Sequence, residues 1–333
     1  MCIEHENTAM ERAAAILRAA PLNFVRPSTL FNSCPLGLKN CDPRSDVANA
    51  VPHNMWIPLL PPESSPANSE STLATISATP PHHFMWSHEH AFDADAPEGC
   101  LRFARYLTSN REFFDFIQRG GYMTKRWWSD EGWAWVTENQ KVKPHFWRIH
   151  QESQQCRLRV LAEEIAMPWD WPVEVCHYEA DAFCAFKSEI DGQPIRLPTE
   201  SEYLRLREHV KVDVQNSESG TAWACAPGNI NLERWGTPCP VNTFVDPASG
   251  FADIVGNVWT HTSSSLTFSD ESDRHWLAPR IPKQVQDGEH MVLRSGSCLA
   301  RGGNACASRR FHVAKHDTSL CAGYFRRKYL FSI

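Results

Sequence analysis

The first twenty residues carry a helical period. Ile3, Met10, Ala13, Ala14, Ile16 and Leu17 recur at three-to-four spacing, and Glu4, Glu6, Glu11 and Arg12 fill the polar side. The pattern predicts a helix over residues 2–20, stopped by Pro21. One helix with a single apolar stripe cannot bury that stripe alone, and no helical period follows in the next sixty residues. The segment therefore reads as a fragment of a helical bundle. Residues 27–82 are rich in Pro, Ser, Asn and Ala, with the composition of a linker around Pro61–Glu70. From about residue 84 aromatics crowd in, from Phe84 and Trp86 through Phe113, Phe114 and Phe116 to Trp127, Trp128, Trp133, Trp135 and Trp147. A second helix is expected over 108–120, entered at Thr108-Ser109-Asn110 and ended by Gly120-Gly121. A third spans 174–190, with Tyr178, Ala182, Phe183 and Phe186 on one face, and a fourth starts at Pro198-Thr199-Glu200. Short extended runs and turns make up the rest. The expected architecture is α+β with modest regular structure, divided into a helix at 1–20, a linker at 21–83 and a domain at 84–333.

Composition narrows the classes. Charged residues are 22% of the chain and the net charge is -6 with no long run of one sign, which does not suggest a nucleic-acid partner. No apolar run reaches membrane-span length, and the N-terminus has no charged-then-apolar signal region. The 12 Cys contain no Cys-x-x-Cys and no zinc-ligand spacing, which points to mostly reduced thiols and a cytoplasmic protein. The 13 Trp, each an apolar face with one N–H donor, predict a core with polar groups close by.

Two dense blocks stand out: Met167-Pro-Trp-Asp-Trp-Pro-Val-Glu-Val175, continuing to Arg196-Leu-Pro-Thr-Glu200, and Asp253-Ile-Val-Gly-Asn-Val-Trp259. With Ser109-Asn-Arg-Glu-Phe113, Pro144-His-Phe-Trp147 and Asn229-Ile-Asn-Leu-Glu233, they resemble the formylglycine-generating-enzyme (sulfatase-modifying factor) type of domain. Within that superfamily the first block is similar to the 5-histidylcysteine sulfoxide synthases of ovothiol biosynthesis. The resemblance implies a C-type-lectin-like fold preceded by a remnant helix of a DinB-like four-helix bundle, with the methyltransferase part of many members absent. It also implies an activity, the oxygen-dependent joining of a cysteine sulfur to a histidine ring carbon at non-haem iron. The substrates would be the small amino acids cysteine and histidine, with Fe(II) as cofactor and O2 as co-substrate.

The resemblance also implies a site. Members carry His-x-x-x-His-x-Glu on a bundle helix and a third histidine on an earlier one; histidines at i and i+4 share a helical face and leave iron open positions. The matching segment is His5 to Glu11, in which His5 stands as metal ligand and Glu11 as its support, while Ala9 occupies the second histidine position. Alanine offers no lone pair. Trp259 and His261 would form the catalytic floor, with Asn257 in the adjoining turn. Arg294, Arg309 and Arg326 would pair with an amino-acid carboxylate through the guanidinium fork. Relatives carry a tyrosine soon after the Trp; its gapless counterpart here is Thr267. The four histidines of Pro81–His90 read as a solvated loop, and Cys298 and Cys306 lack the spacing of a copper-binding pair. An alternative reading is a catalytically impaired homologue that keeps the fold as a binding or structural module.

Overall fold

The computed structural model describes residues 2–25, 51–59, 101–149, 155–210, 228–232, 235–267, 287–300, 310–318 and 322–329. The His-rich stretch 81–90, most of the linker and Arg309 lie outside these residues.

Helix α1 (Cys2–Ala19) forms where the period predicts it. Strands β1 (Trp56–Leu59) and β2 (Leu101–Ala104) pair antiparallel. Helix α2 (Asn110–Gln118) begins at a capping box in which the Ser109 hydroxyl accepts from the Glu112 N–H and the Glu112 carboxylate accepts from the Ser109 N–H. It ends before Gly120, whose φ of 80° suits a residue with no Cβ. Helix α3 (Asp130–Glu138), capped by Ser129, was not anticipated, because its Trp133 and Trp135 read as part of an aromatic run rather than a periodic stripe. A three-stranded antiparallel sheet follows, β3 (Trp147–Ile149), β4 (Cys156–Arg159) and β5 (Glu164–Ala166).

Helix α4 (His177–Asp191) starts three residues later than its pattern suggests. The reason is backbone bonding: the Val173 N–H donates to the Thr108 carbonyl and the Val175 N–H to the Ala322 carbonyl, so 173–175 stays extended. Strand β6 (Ile195–Arg196) leads into α5 (Glu200–Val210). The last strands are β7 (Trp259–Ser265), β8 (His290–Arg294), β9 (Phe311–Ala314), β10 (Ala322–Gly323) and β11 (Arg327–Tyr329). They complete two four-stranded sheets, ordered β1-β2-β11-β6 and β10-β7-β8-β9.

The aromatic run forms the largest core. Phe113 stacks on Phe183 with ring centroids 5.5 Å apart, and Phe116, Tyr122, Trp127, Trp128 and Trp147 close round them. Such pairs add to the burial of their large apolar areas. The sequence blocks converge beside this core. Strand β10 runs parallel to β7, with Ala322 opposite Trp259 and Gly323 opposite Thr260. A Cβ on Gly323 would come within 2.8 Å of Val258 and 3.1 Å of the Val173 carbonyl, so only glycine lets these three segments meet.

One residue of this junction is strained. Ser295 is 3% exposed and has φ 87°, left-handed backbone that a side chain disfavours. Its compensation is one long bond, from Oγ to the Gly256 carbonyl at 3.3 Å. Ser295→Gly is expected to stabilise the chain by about 1 kcal/mol, read as a raised denaturant midpoint. A lowered midpoint would show that the Oγ bond outweighs the strain.

Candidate active-site cleft

The site is built where α1 crosses the two resemblance blocks. Glu11 is 2% exposed, and its Oε2 accepts from Trp259 Nε1 at 2.7 Å and from Ser297 Oγ at 3.0 Å. Two turns along the same face, Arg18 lies 5% exposed. Its guanidinium grips Glu174 at both oxygens, at 2.5 and 2.8 Å, and sits 3.6 Å above the Phe146 ring. Arg18 Nε donates to the Arg159 carbonyl at 2.9 Å; Arg159 returns bonds to the carbonyls of Arg18 and Ala20 at 3.1 Å. Those carbonyls belong to the last turn of α1, where intrahelical donors run out. A cation there also faces the negative end of the helix dipole.

Between these anchors lies a narrow, partly open crevice in which Glu11, Trp259, Ser297 and Cys298 stay buried. Glu11, Ala14, Ala15 and Arg18 form the helix wall, and Trp259, Ser297, Cys298 and Leu299 the floor. Val160, Leu161 and the segment Gly236-Thr237-Pro238 close the far side. Trp259 is held by Glu11 at its nitrogen and by Phe311 stacked on its ring at 5.1 Å.

The structure brings together two of the expected site residues, Glu11 and Trp259. Asn257, His261, Arg294 and Arg326 sit elsewhere, and the His5 side chain and Arg309 lie outside the described residues. Asn257 is fully buried, with φ 66°; it exchanges bonds with the backbone of Cys239 and donates to Asp253 Oδ2 at 3.0 Å. This bonding holds the turn behind Trp259. Burial holds the Asp253 carboxyl well above the usual range, with the Asn257 bond opposing. Arg294 reaches Glu200 at close range, and Arg310 binds the same carboxylate. Arg326 pairs with Glu112 at 2.5 Å and lies between the rings of Trp56 and Phe183.

His261 is fully buried and faces α4. Its Nε2 lies 2.9 Å from the Val175 carbonyl, and its ring meets His177 edge to face at 5.8 Å. Burial pushes the His261 pKa down to about 3, with a further push from His177, and burial takes His177 to about 4. Both rings are therefore neutral at pH 7.

The residues that sequence reasoning missed are Arg18, Glu174, Ser297 and Cys298. Arg18 was legible as the position seven after Glu11 on one helical stripe, and Glu174 as the second of two acids in the most specific block.

Ala9 is exposed on α1, and at roughly 100° per residue it points away from Arg18. Its methyl group cannot ligate. The side chain of His5 lies outside the described residues. Among the described residues no group of three or more His, Cys, Asp or Glu converges as a metal site. The donors described do not fit iron.

Five cysteines among the described residues, Cys156, Cys176, Cys184, Cys239 and Cys298, are free thiols. No helix among the described residues is long and apolar enough to cross a membrane.

The chain is 29% identical over 223 residues to a hercynine oxygenase of Mycobacterium tuberculosis, covering 60% of this chain and 45% of that protein. It is 30% identical over 227 residues to a hercynine oxygenase of Mycolicibacterium thermoresistibile, covering 60% and 44%. The chain thus spans less than half the length of these curated relatives. Among solved structures it is similar to PvdO from Pseudomonas aeruginosa, at 15% identity and TM-score 0.43 over 69% of this chain and 81% of that one. It is also similar to CarF, at 13% identity and TM-score 0.42 over 69% and 87%. The family model described as sulfatase-modifying factor enzyme 1-like domain matches residues 101–325, about two thirds of the sequence. The chain belongs to this sulfatase-modifying factor (formylglycine-generating-enzyme) family.

Proposed function

We propose that the chain acts as an oxygen-dependent sulfoxide synthase of the ovothiol type, joining the sulfur of cysteine to the imidazole of histidine, with the cleft beside α1 as its substrate site. The observation that carries the reading is the bond from Trp259 to Glu11. Glu11 closes the His-x-x-x-His-x-Glu-like segment and Trp259 closes the Gly-Asn-Val-Trp signature. They stand 248 residues apart in sequence and meet at 2.7 Å. The similarity to hercynine oxygenases supports oxygenase chemistry on a histidine derivative.

Iron would supply the oxygen activation, and the described donors do not provide its ligands. The chain's own contribution is positioning. Glu11 fixes the Trp259 indole and Ser297, and Arg18 fixes the helix against the domain.

Ala9 favours a second reading, a homologue that binds amino acids in this cleft without oxidising them. Anaerobic Fe(II) titration followed by oxygen uptake with cysteine and histidine separates the two. Stoichiometric iron and oxygen uptake that needs both amino acids is the result expected of the synthase. Amino-acid binding with no iron and no uptake would replace it by the binding module.

A further inference from the structure

We propose that His290 and His312 form a two-imidazole site for a divalent transition metal of the zinc class, on the face of the β8–β9 pair turned away from Trp259. Side chains alternate between the two faces of a sheet. Leu293, Phe311 and Val313 pack with Trp259 on one face, so His290 and His312 share the other. In the register Val292 stands opposite His312 and Ala314 opposite His290, which makes the histidines diagonal neighbours. Ring side chains reach each other across that diagonal. The two ring centroids lie 5.9 Å apart at an interplanar angle of 67°. Two imidazoles on one tetrahedral zinc, at a Zn–N distance of about 2.0–2.1 Å, put their centroids about 5 Å apart. A small side-chain rotation closes the difference.

Asp287 orients the first ring. Its Oδ1 lies 3.1 Å from His290 Nδ1, and this bond is the main cause that holds the Asp287 carboxyl below its usual range. An ionised carboxylate only accepts, so Nδ1 carries the proton and the neutral ring keeps its lone pair on Nε2. A carboxylate behind one ring nitrogen is how metal-binding histidines are oriented. Solvent reaches the group, with the His290 side chain 24% exposed and that of Asp287 39%. No three ligands converge among the described residues, so water completes the coordination sphere. The consequence is mechanical. Strand β9 is the edge of its sheet, and its Phe311, next to His312, stacks on Trp259. A metal bridging the two strands ties that edge down and steadies the ring behind Trp259.

The test uses the full chain and zinc sulfate. Modification by diethyl pyrocarbonate is read at each histidine by peptide mass spectrometry. Zinc is expected to slow modification of His290 and His312 together, about tenfold at ten times the dissociation constant. His290→Gln is expected to abolish the protection of His312, and His312→Gln that of His290, because one imidazole alone holds the ion weakly. Asp287→Asn keeps the local turn, since its Oδ1 still accepts from the backbone N–H groups of Glu289 and His290. It is expected to raise the zinc concentration needed for protection about tenfold. Unchanged modification of both histidines would overturn the site, whatever zinc does at other histidines or at thiols. So would protection of the remaining histidine in either glutamine variant. If His312 reacts too slowly to follow, His290 with and without His312→Gln decides. Should a glutamine variant not fold, Asp287→Asn carries the test, and an unchanged zinc midpoint overturns the proposal.

Discussion

Lowering the pH from 7 to 4 is expected to strip about 3 kcal/mol or more from the stability of the fold through the His177–His261 pair. Burial is the main cause in both rings, and it holds them at about 4 and about 3 against an ordinary value of 6.5. Each Nε2 faces a carbonyl, of Thr262 for His177 and Val175 for His261, so each ring donates there. The Nδ1 atoms accept no hydrogen bond among the described residues. Asp181 approaches His177 Nδ1 at 3.3 Å with half of its side chain in water, while Lys315 opposes a positive charge on His177 and Asp317 favours one on His261. A histidine with a depressed folded pKa binds its proton in the unfolded chain first. The unfolded state therefore gains protons as the pH drops through 6.5, and stability falls until the folded pKa is reached. The two losses do not simply add, because His177 is itself one cause of the His261 shift. Asp181, pushed up to about 7 by burial, and Asp253 and Glu179, also raised by burial, act in the opposite sense. Comparison with His261→Phe cancels them. The variant's urea midpoint should decline less steeply than the wild type's between pH 6.5 and 4.5, whatever its offset at pH 7. Parallel profiles would show that the pair does not titrate with folding.

How much of this was legible beforehand differs by kind of information. Periodicity located α1, α2 and α5 and the burial of Phe183 and Phe186, because those helices answer to local pattern and caps. It misplaced the start of α4, where non-local bonds from Val173 and Val175 override helix propensity. A sequence offers Arg294 and Arg326 as carboxylate binders, but both are used inside the fold on Glu200 and Glu112. The buried charge that does frame the cleft, Arg18, carries no motif of its own. Its partner lies 156 residues away, and only tertiary structure reveals the pairing. Glu11 and Trp259 were singled out separately through resemblance; that they touch is a fact of the fold.

The second large effect is expected at that buried pair. Glu174→Ala leaves the Arg18 guanidinium without its carboxylate under a 5% exposed surface, a change that costs about 3–5 kcal/mol when the remaining charge stays buried. The helix has an alternative to paying this in place. It can lift, returning Arg18 to water and sacrificing the Glu11 bonds to Trp259 and Ser297 and the Arg159 cap on its last turn. The loss should therefore appear as local opening of α1 rather than as a lower global midpoint. Limited proteolysis under native conditions is expected to cut within residues 2–20 of Glu174→Ala faster than in the wild type, with no new cut in residues 155–210 or 235–267. Arg18→Met combined with Glu174→Leu is expected to recover much of the protection, because apolar side chains of similar volume remove both charges and keep the contact with Phe146. Equal protection of α1 in the wild type and in Glu174→Ala would mean that Glu11 alone holds the helix. The last acid of Met167-Pro-Trp-Asp-Trp-Pro-Val-Glu-Val175 would then need a role other than docking.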